Sequence, residues 1–176
     1  MTPSHPAGPL RARADAGLRS ITVGIAALEV SKDPGTLLVT YALGSCIGLI
    51  LHDPVQRAAG LLHFMLPLSR TAPEQAKLRP EMFADTGVPL LFERMARLGC
   101  KMSDLVIRAA GGGSFLDGEG VLDIGNRNYT ILRKMLWKSG LMITAEDVGG
   151  TRSRTVRVYP ATGEVFVRSG SEEAPL

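Results

Sequence analysis

The stretch "CIGLILHDPVQRAAGLLHFML" (residues 46–66) decides the fold, because it encodes two apolar strands joined by one short turn. The predicted strands are residues 46–53 and 58–66, and Pro54 occupies a position that turns favour. Strands this close in the chain are typically antiparallel neighbours. The stretch therefore predicts a β-hairpin.

The spacing of apolar residues and the positions of Gly and Pro also predict the remaining helices, strands and loops. Helices are predicted up to about Leu98, with Asp85 or Thr86 as the cap, and over residues 125–139. A polar surface loop is predicted over residues 67–81. The other predicted strands are 21–30, 36–43, 104–110, 141–148 and a hairpin of "TVRVY" with "EVFVR". About seven strands and two helices predict an α/β (α+β) fold, with layered mixed or antiparallel sheets flanked by two main helices.

Length and charge restrict the class of protein. The 176 residues favour a single domain, which we place at residues 21–170 after a disordered tail at residues 1–20. A net charge of +3 is too small to indicate nucleic-acid binding. The N-terminus has no signal-peptide core, and no run approaches a membrane span. With two cysteines in the chain, we expect free thiols in a reducing cytoplasm.

"TYALGSC" (residues 40–46) interrupts the apolar pattern between two strands. Gly44 permits a sharp turn there, and the backbone N–H groups around Ser45 and Cys46 can converge on a developing oxyanion. A turn of this kind is typical of a reactive cysteine at a surface. The alternative is an inert, buried cysteine, which is the commoner role of that residue.

A reactive thiol needs a base, and the hairpin supplies one. His5 lies in the tail, and His52 is about 20 Å from Cys46 along an extended strand. Pairing about the turn places His63 opposite roughly residue 47, beside Cys46. The alternative is a core histidine bonded to a backbone carbonyl, and hairpin geometry alone does not decide between the two. Thr40, on the preceding strand, has a hydroxyl able to orient an imidazole, although strand threonines are common.

These segments also resemble a known family. "VTYALGSCIGLILHDP", "GLLHFMLP", "FADTGVPLL", "IGNRNY", "AEDVGGTRSRTV" and "TGEV" are similar to the CheD family of bacterial and archaeal chemotaxis, over about residues 21–168. The resemblance implies a fold similar to deamidase-toxin domains. It also implies a chemoreceptor glutamine deamidase that uses no metal or organic cofactor. The resemblance implies a catalytic triad of Cys46, His63 and Thr40. The Cys46 thiolate, paired with the His63 imidazolium, would attack the glutamine side chain and form a thioester with it. Methyl-accepting receptors would be the substrate, and glutamyl methyl ester hydrolysis is a related activity.

Other readings remain open from the sequence. The resemblance implies binding to the CheC phosphatase, so the chain is alternatively a mainly non-catalytic regulator of CheC. A small-molecule cysteine amidase or thioesterase would need a deep apolar pocket. A thiol redox protein is disfavoured because there is no C-x-x-C motif. The run Gly111–Gly113, where the family commonly has "GGA", lacks the residues of a phosphate loop, and Phe115 after it is a candidate for a partner contact or for the core.

Overall fold

The structure is a computed structural model that describes residues 15–114 and 123–176. Residues 1–14 of the tail predicted at 1–20, Phe115 and the predicted turn at 117–120 lie outside the described residues. The last two residues of that predicted tail, 19 and 20, begin the first strand. The described helices are α1 (Pro73–Leu78), α2 (Ala84–Arg97) and α3 (Ile124–Lys138), with 3-10 turns at Ser69–Thr71, Pro80–Met82 and Met102–Asp104. The described strands are β1 (Arg19–Thr22), β2 (Ala27–Ser31), β3 (Thr36–Leu43), β4 (Ile47–Asp53), β5 (Ala58–Phe64), β6 (Val106–Gly111), β7 (Ala145–Val148), β8 (Arg154–Val158), β9 (Val165–Ser169) and β10 (Glu172–Pro175).

The strands form two five-stranded sheets. The first has the order β1-β3-β8-β9-β10, and the second has the order β2-β5-β4-β6-β7. The pairs β1–β3 and β6–β7 are parallel, and the other pairs are antiparallel. The predicted class, layered mixed sheets with two main helices, is confirmed. No helix in the described part of the chain is long and apolar enough to cross a membrane.

Two apolar cores divide the molecule into three layers. One core lies between the sheets and includes Leu38 and Val156 of the first sheet and Ile50 and Leu61 of the second. The other core lies between the second sheet and the helices α2 and α3. Strands β4 and β5 are therefore covered on both faces, and every residue in them is buried. This explains their nearly continuous apolar sequence.

The β4–β5 hairpin predicted at residues 46–66 is present, with a register one residue away from the expected one. His63 pairs with Gly48, where the sequence predicted roughly residue 47. The pairing closes at Asp53 and Ala58, and the Asp53 carboxylate accepts hydrogen bonds from the backbone of the turn. A one-residue shift in register changes the face on which a side chain lies, because paired residues share a face of the sheet and successive residues alternate between faces. Pairing with Ile47 would have turned His63 towards the helices.

The predicted strand at residues 21–30 is wrong as a single element. The chain forms β1 in the first sheet and β2 in the second, and it crosses between the sheets at residues 23–26. Ala26 adopts a left-handed conformation, with φ 53°, where the chain enters β2. Ile21 and Val23 pack in the core between the sheets, whereas Leu28 and Val30 of β2 pack in the core beneath the helices.

Residues 67–81 form α1 and two 3-10 turns, so the prediction of a plain loop is also wrong. The Arg79 guanidinium ties this segment to the Ile25 carbonyl at 3.0 Å. Neither predicted cap of α2 is correct, because the helix begins after Phe83. The Asp85 carboxylate instead accepts from the backbone and hydroxyl of Ser69.

Candidate active site

His63 lies in the middle of the second sheet and faces the first. Its pairing partners on the two sides are Ala27 of β2 and Gly48 of β4. These small residues leave room for the imidazole between the sheets, where its side chain is completely buried. The strand alternation that sends Leu61 into the inter-sheet core sends His63 the same way.

Thr40 reaches the imidazole from the opposite sheet. It is buried on β3, and its Oγ1 lies 2.8 Å from Nδ1 of His63 and 2.7 Å from the carbonyl oxygen of Val23. A carbonyl only accepts, so the Thr40 hydroxyl donates to Val23 and must accept from His63. Nδ1 therefore carries the proton, and the other ring nitrogen, Nε2, has a free lone pair.

The His63 Nε2 atom is buried and has no hydrogen-bond partner among the described residues. Burial disfavours the charged imidazolium and lowers the pKa of His63 to about 4. The ring is thus neutral near pH 7, with an unused acceptor. A buried imidazole oriented by a neighbouring hydroxyl in this way is suited to accept a proton.

Cys46 lies at the corner that precedes β4 and is half-buried against the inter-sheet core. It is two residues before Gly48, the partner of His63, so the two side chains share a face as diagonal neighbours. Diagonal cross-strand neighbours lie within reach of long side chains, and Gly48 places no side chain between them. The structure therefore joins Thr40 and His63 by a hydrogen bond and places Cys46 at the same end of β4, on the face that His63 shares, without a hydrogen bond between Cys46 and Nε2.

The thiol is also neutral at rest. Burial raises the pKa of Cys46, and a hydrogen bond from its own backbone N–H lowers it by a smaller amount. Together with the lowered pKa of His63, this favours a thiol beside a neutral imidazole. The ion pair expected from the sequence is not the favoured resting state, because the site is shielded from water.

The corner is held by hydrogen bonds to three successive carbonyls. Gly112 N–H donates to the Cys46 carbonyl and Gly113 N–H donates to the Gly44 carbonyl, each at 2.8 Å. The Ser45 carbonyl accepts from the side chain of Asn128 at 3.0 Å. Among the described backbone bonds outside the strand ladders, none has the N–H group of Gly44, Ser45 or Cys46 as its donor. The Cys46 N–H is directed at its own sulfur. The corner thus directs its carbonyls towards the protein interior, and its N–H groups can donate to an oxyanion.

Gly111 is needed for this arrangement. It has φ 109°, and a Cβ atom there would lie 2.2 Å from the Cys46 carbonyl oxygen. The Gly111–Gly113 run, considered above only as a phosphate loop, packs against the cysteine corner instead.

Asn128 of α3 was missed by the sequence analysis. It is completely buried, and its Nδ2 donates to the carbonyls of Ser45 and Met65. It lies four residues before Leu132 and eight before Leu136, on the buried stripe of the helix. A polar residue in an apolar stripe is the signal that would have revealed it.

The remaining candidates lie elsewhere. Cys100 is buried at the far end of β4 near Asp53, where burial raises the pKa of its thiol to about 11. Both cysteines are free. His52 is bonded to the Pro160 carbonyl at 3.2 Å. The carboxylate of Asp123 caps α3.

Comparison with known proteins identifies the family. The family model for CheD, described as CheD chemotactic sensory transduction, matches residues 65–169. A protein of Anaeromyxobacter dehalogenans (strain 2CP-C) is 51% identical over 89% of this chain and 98% of its own length. A protein of Solibacter usitatus (strain Ellin6076) is 45% identical over 90% of this chain and 94% of its own length. Their names are "Probable chemoreceptor glutamine deamidase CheD 2" and "Probable chemoreceptor glutamine deamidase CheD".

A solved structure gives a weaker match. It is the crystal structure of Neisseria meningitidis protein NMB0706, of the DUF152 family. The superposition covers 81% of this chain and 66% of the Neisseria chain, with a TM-score of 0.46 and 11% sequence identity. A likeness at this level carries no argument. The matched family segment begins two residues after His63, so it includes Asn128 and none of Thr40, Cys46 and His63. From the family model and the full-length relatives, the chain belongs to the CheD family.

Proposed function

We propose that the protein is a chemoreceptor glutamine deamidase in which Cys46 is the nucleophile, His63 the general base and acid, and Thr40 the residue that orients His63. The observation that carries the proposal is the hydrogen bond from His63 Nδ1–H to Thr40. It leaves the lone pair of Nε2 free on the face that Cys46 shares. The names of the relatives supply the substrate class.

The first half-reaction releases ammonia. The Cys46 sulfur attacks the side-chain carbonyl carbon of a receptor glutamine while His63 Nε2 takes the thiol proton. The carbonyl oxygen becomes an oxyanion, which the N–H groups of Ser45 and Cys46 stabilise. The C–N bond then breaks, Nε2 returns its proton to the leaving nitrogen, and a thioester remains.

The second half-reaction restores the thiol. Water attacks the thioester carbonyl as Nε2 takes one of its protons, and the C–S bond breaks with that proton passing to sulfur. The products are glutamate and ammonia, and the enzyme returns to its neutral resting state. A receptor glutamyl methyl ester would pass through the same intermediate, with methanol as the leaving group.

The neutral resting pair makes proton transfer part of the attack. Burial works against both charged forms, so the ion pair develops only as the thiol loses its proton. Because the reaction needs a reduced thiol, we place it in the cytoplasm. Binding to CheC remains a prediction from the family resemblance.

The experiment is ammonia release from a receptor cytoplasmic fragment. We expect C46A and H63Q to release no ammonia above background while keeping the wild-type circular dichroism spectrum. C100S is the matched cysteine control and should keep full activity, because Cys100 lies beyond the other end of β4. Wild-type rates in C46A or H63Q would overturn the assignment.

A further inference from the structure

We propose that Asn128 is a positioning residue for this reaction: it aims the Cys46 N–H at the oxyanion and fixes the cysteine corner relative to His63. The inference rests on the proposed function. It starts from the two hydrogen bonds of the Asn128 amide, 3.0 Å to the Ser45 carbonyl and 2.7 Å to the Met65 carbonyl. Two carbonyl acceptors require the NH₂ group on this side, so the orientation of the amide is determined.

The two carbonyls lie where the β4–β5 ladder has ended. The last pair is Ile47 with Phe64, and Ser45 and Met65 lie beyond it. Past that point the chain after β5 turns away, because the N–H of Met65 donates to Met82. Within the described residues, only the Asn128 amide joins this end of β5 to the corner by hydrogen bonds. Asn128 thus takes the place of the next hydrogen-bonded pair between the strand end that follows His63 and the corner that holds Cys46.

The bond to Ser45 also sets the direction of an N–H group. The Ser45 carbonyl and the Cys46 N–H belong to one planar trans peptide, so they point in opposite directions. Holding the carbonyl on Asn128 inside the protein therefore directs the Cys46 N–H to the other side, next to its own sulfur. A donor fixed before the reaction stabilises an oxyanion better than one that must reorient.

Asn128 has both a structural gain and a structural cost. Its NH₂ group pairs the Ser45 and Met65 carbonyls, whereas its Oδ1 atom is buried without a partner in the described chain. Kinetic measurements are therefore needed to separate positioning from stability. Asn128 also lies in line with Leu132 and Leu136 on the buried stripe. Leucine at this position would match its neighbours and fill nearly the same shape.

The test compares N128L with T144V. N128L keeps the shape and removes both donors. T144V removes a similar side-chain bond, from Thr144 to the Ile107 carbonyl at 2.8 Å, at the end of β6 remote from Cys46. We expect N128L to lower kcat for ammonia release by roughly 10- to 100-fold, with KM within about twofold. It should also lower the urea midpoint, because the Ser45 and Met65 carbonyls lose their donor. T144V should lower the midpoint by less, because the Ile107 carbonyl still accepts from the Thr144 N–H, and should leave kcat unchanged.

A second readout does not depend on the receptor. The rate at which iodoacetamide alkylates Cys46 at pH 7 is measured by peptide mass spectrometry, which counts Cys100 separately. H63Q gives the rate of the thiol without its base, and we expect N128L to fall towards that rate. If wild type and H63Q react equally fast, the proposed function fails. If they differ while N128L matches wild type in alkylation and kcat, the role of Asn128 alone fails.

A variant that fails to fold also gives a result that decides the proposal. If N128L does not fold, N128A, in which water can reach the two carbonyls, is measured in the same way. If neither variant folds, or if kcat falls only in proportion to the unfolded fraction, Asn128 is a structural residue and the proposal is overturned.

Discussion

The Thr40 hydroxyl lies 2.8 Å from Nδ1 of His63, although the two residues belong to different sheets. The same hydroxyl donates to the Val23 carbonyl at 2.7 Å, which fixes the direction of both bonds. The packing of one sheet on the other therefore selects the tautomer of the imidazole. Activity should depend on this one oxygen atom.

Replacing Thr40 tests that dependence. T40V keeps the shape but leaves the His63 Nδ1–H and the Val23 carbonyl unpaired. We expect kcat to fall roughly 10²-fold and the free energy of unfolding to fall by about 1–3 kcal/mol. T40S retains the oxygen and should retain most of the activity. Steady-state ammonia release and urea unfolding measure both effects, and equal kcat values for T40V and T40S would contradict the role given to Thr40.

The pH dependence of activity follows from the buried imidazole. His63 must be neutral to accept the thiol proton, and burial lowers its pKa to about 4. The acid limb of kcat/KM should therefore lie near pH 4, well below the ordinary histidine range, since this profile reports the free enzyme. An acid limb near 6.5, the ordinary pKa of a histidine side chain, would show that the imidazole is hydrated.

The same shift predicts how stability changes with pH. The pKa of His63 is lower in the folded state than in the unfolded state, so its contribution is complete above the unfolded value of 6.5 and is lost as the pH falls through about 4. That loss amounts to about 3 kcal/mol. Because carboxyl groups titrate in the same range, the quantity to measure is the difference in unfolding free energy between wild type and H63Q. A difference that does not change between pH 7 and pH 4 would contradict the burial argument.

A glycine substitution tests the corner itself. G111A places a Cβ 2.2 Å from the Cys46 carbonyl oxygen at a residue with φ 109°. We expect a loss of about 3 kcal/mol, from left-handed strain and overpacking together, with activity lost because the corner moves. G140A is matched, because Gly140 has φ 70° and open space around it. It should cost only about 1–2 kcal/mol and leave kcat unchanged, whereas equal effects of the two changes would show that the contact with Cys46 is unimportant.

The hairpin and the cysteine corner were predictable because their signals are local. Two apolar runs, the turn at Pro54 and the "LGSC" corner lie within 24 consecutive residues, 43–66. The register was missed by one residue because it depends on where Asp53 closes the turn, which composition does not determine. This one-residue difference in register determines whether the His63 side chain faces the first sheet or the helices.

The contacts between layers were not predictable from local patterns. Residues 21–30 look like one strand because the apolar pattern does not show that β1 and β2 pair in different sheets and that Leu28 and Val30 pack in the other core. The Thr40–His63 bond depends on sheet packing. The residues alone offered Thr40 only as one hydroxyl able to orient an imidazole, and the family resemblance placed it in the triad. Asn128 donates to two carbonyls that are distant in sequence. Its position in the apolar stripe marks it as unusual but does not indicate which atoms it contacts.

The most direct test of the central claim is mass spectrometry of a receptor cytoplasmic fragment after incubation with wild type, C46A, H63Q and C100S. We expect wild type and C100S to convert specific glutamines to glutamate, and C46A and H63Q to convert none. Glutamate formation by C46A at the wild-type rate would contradict the central claim.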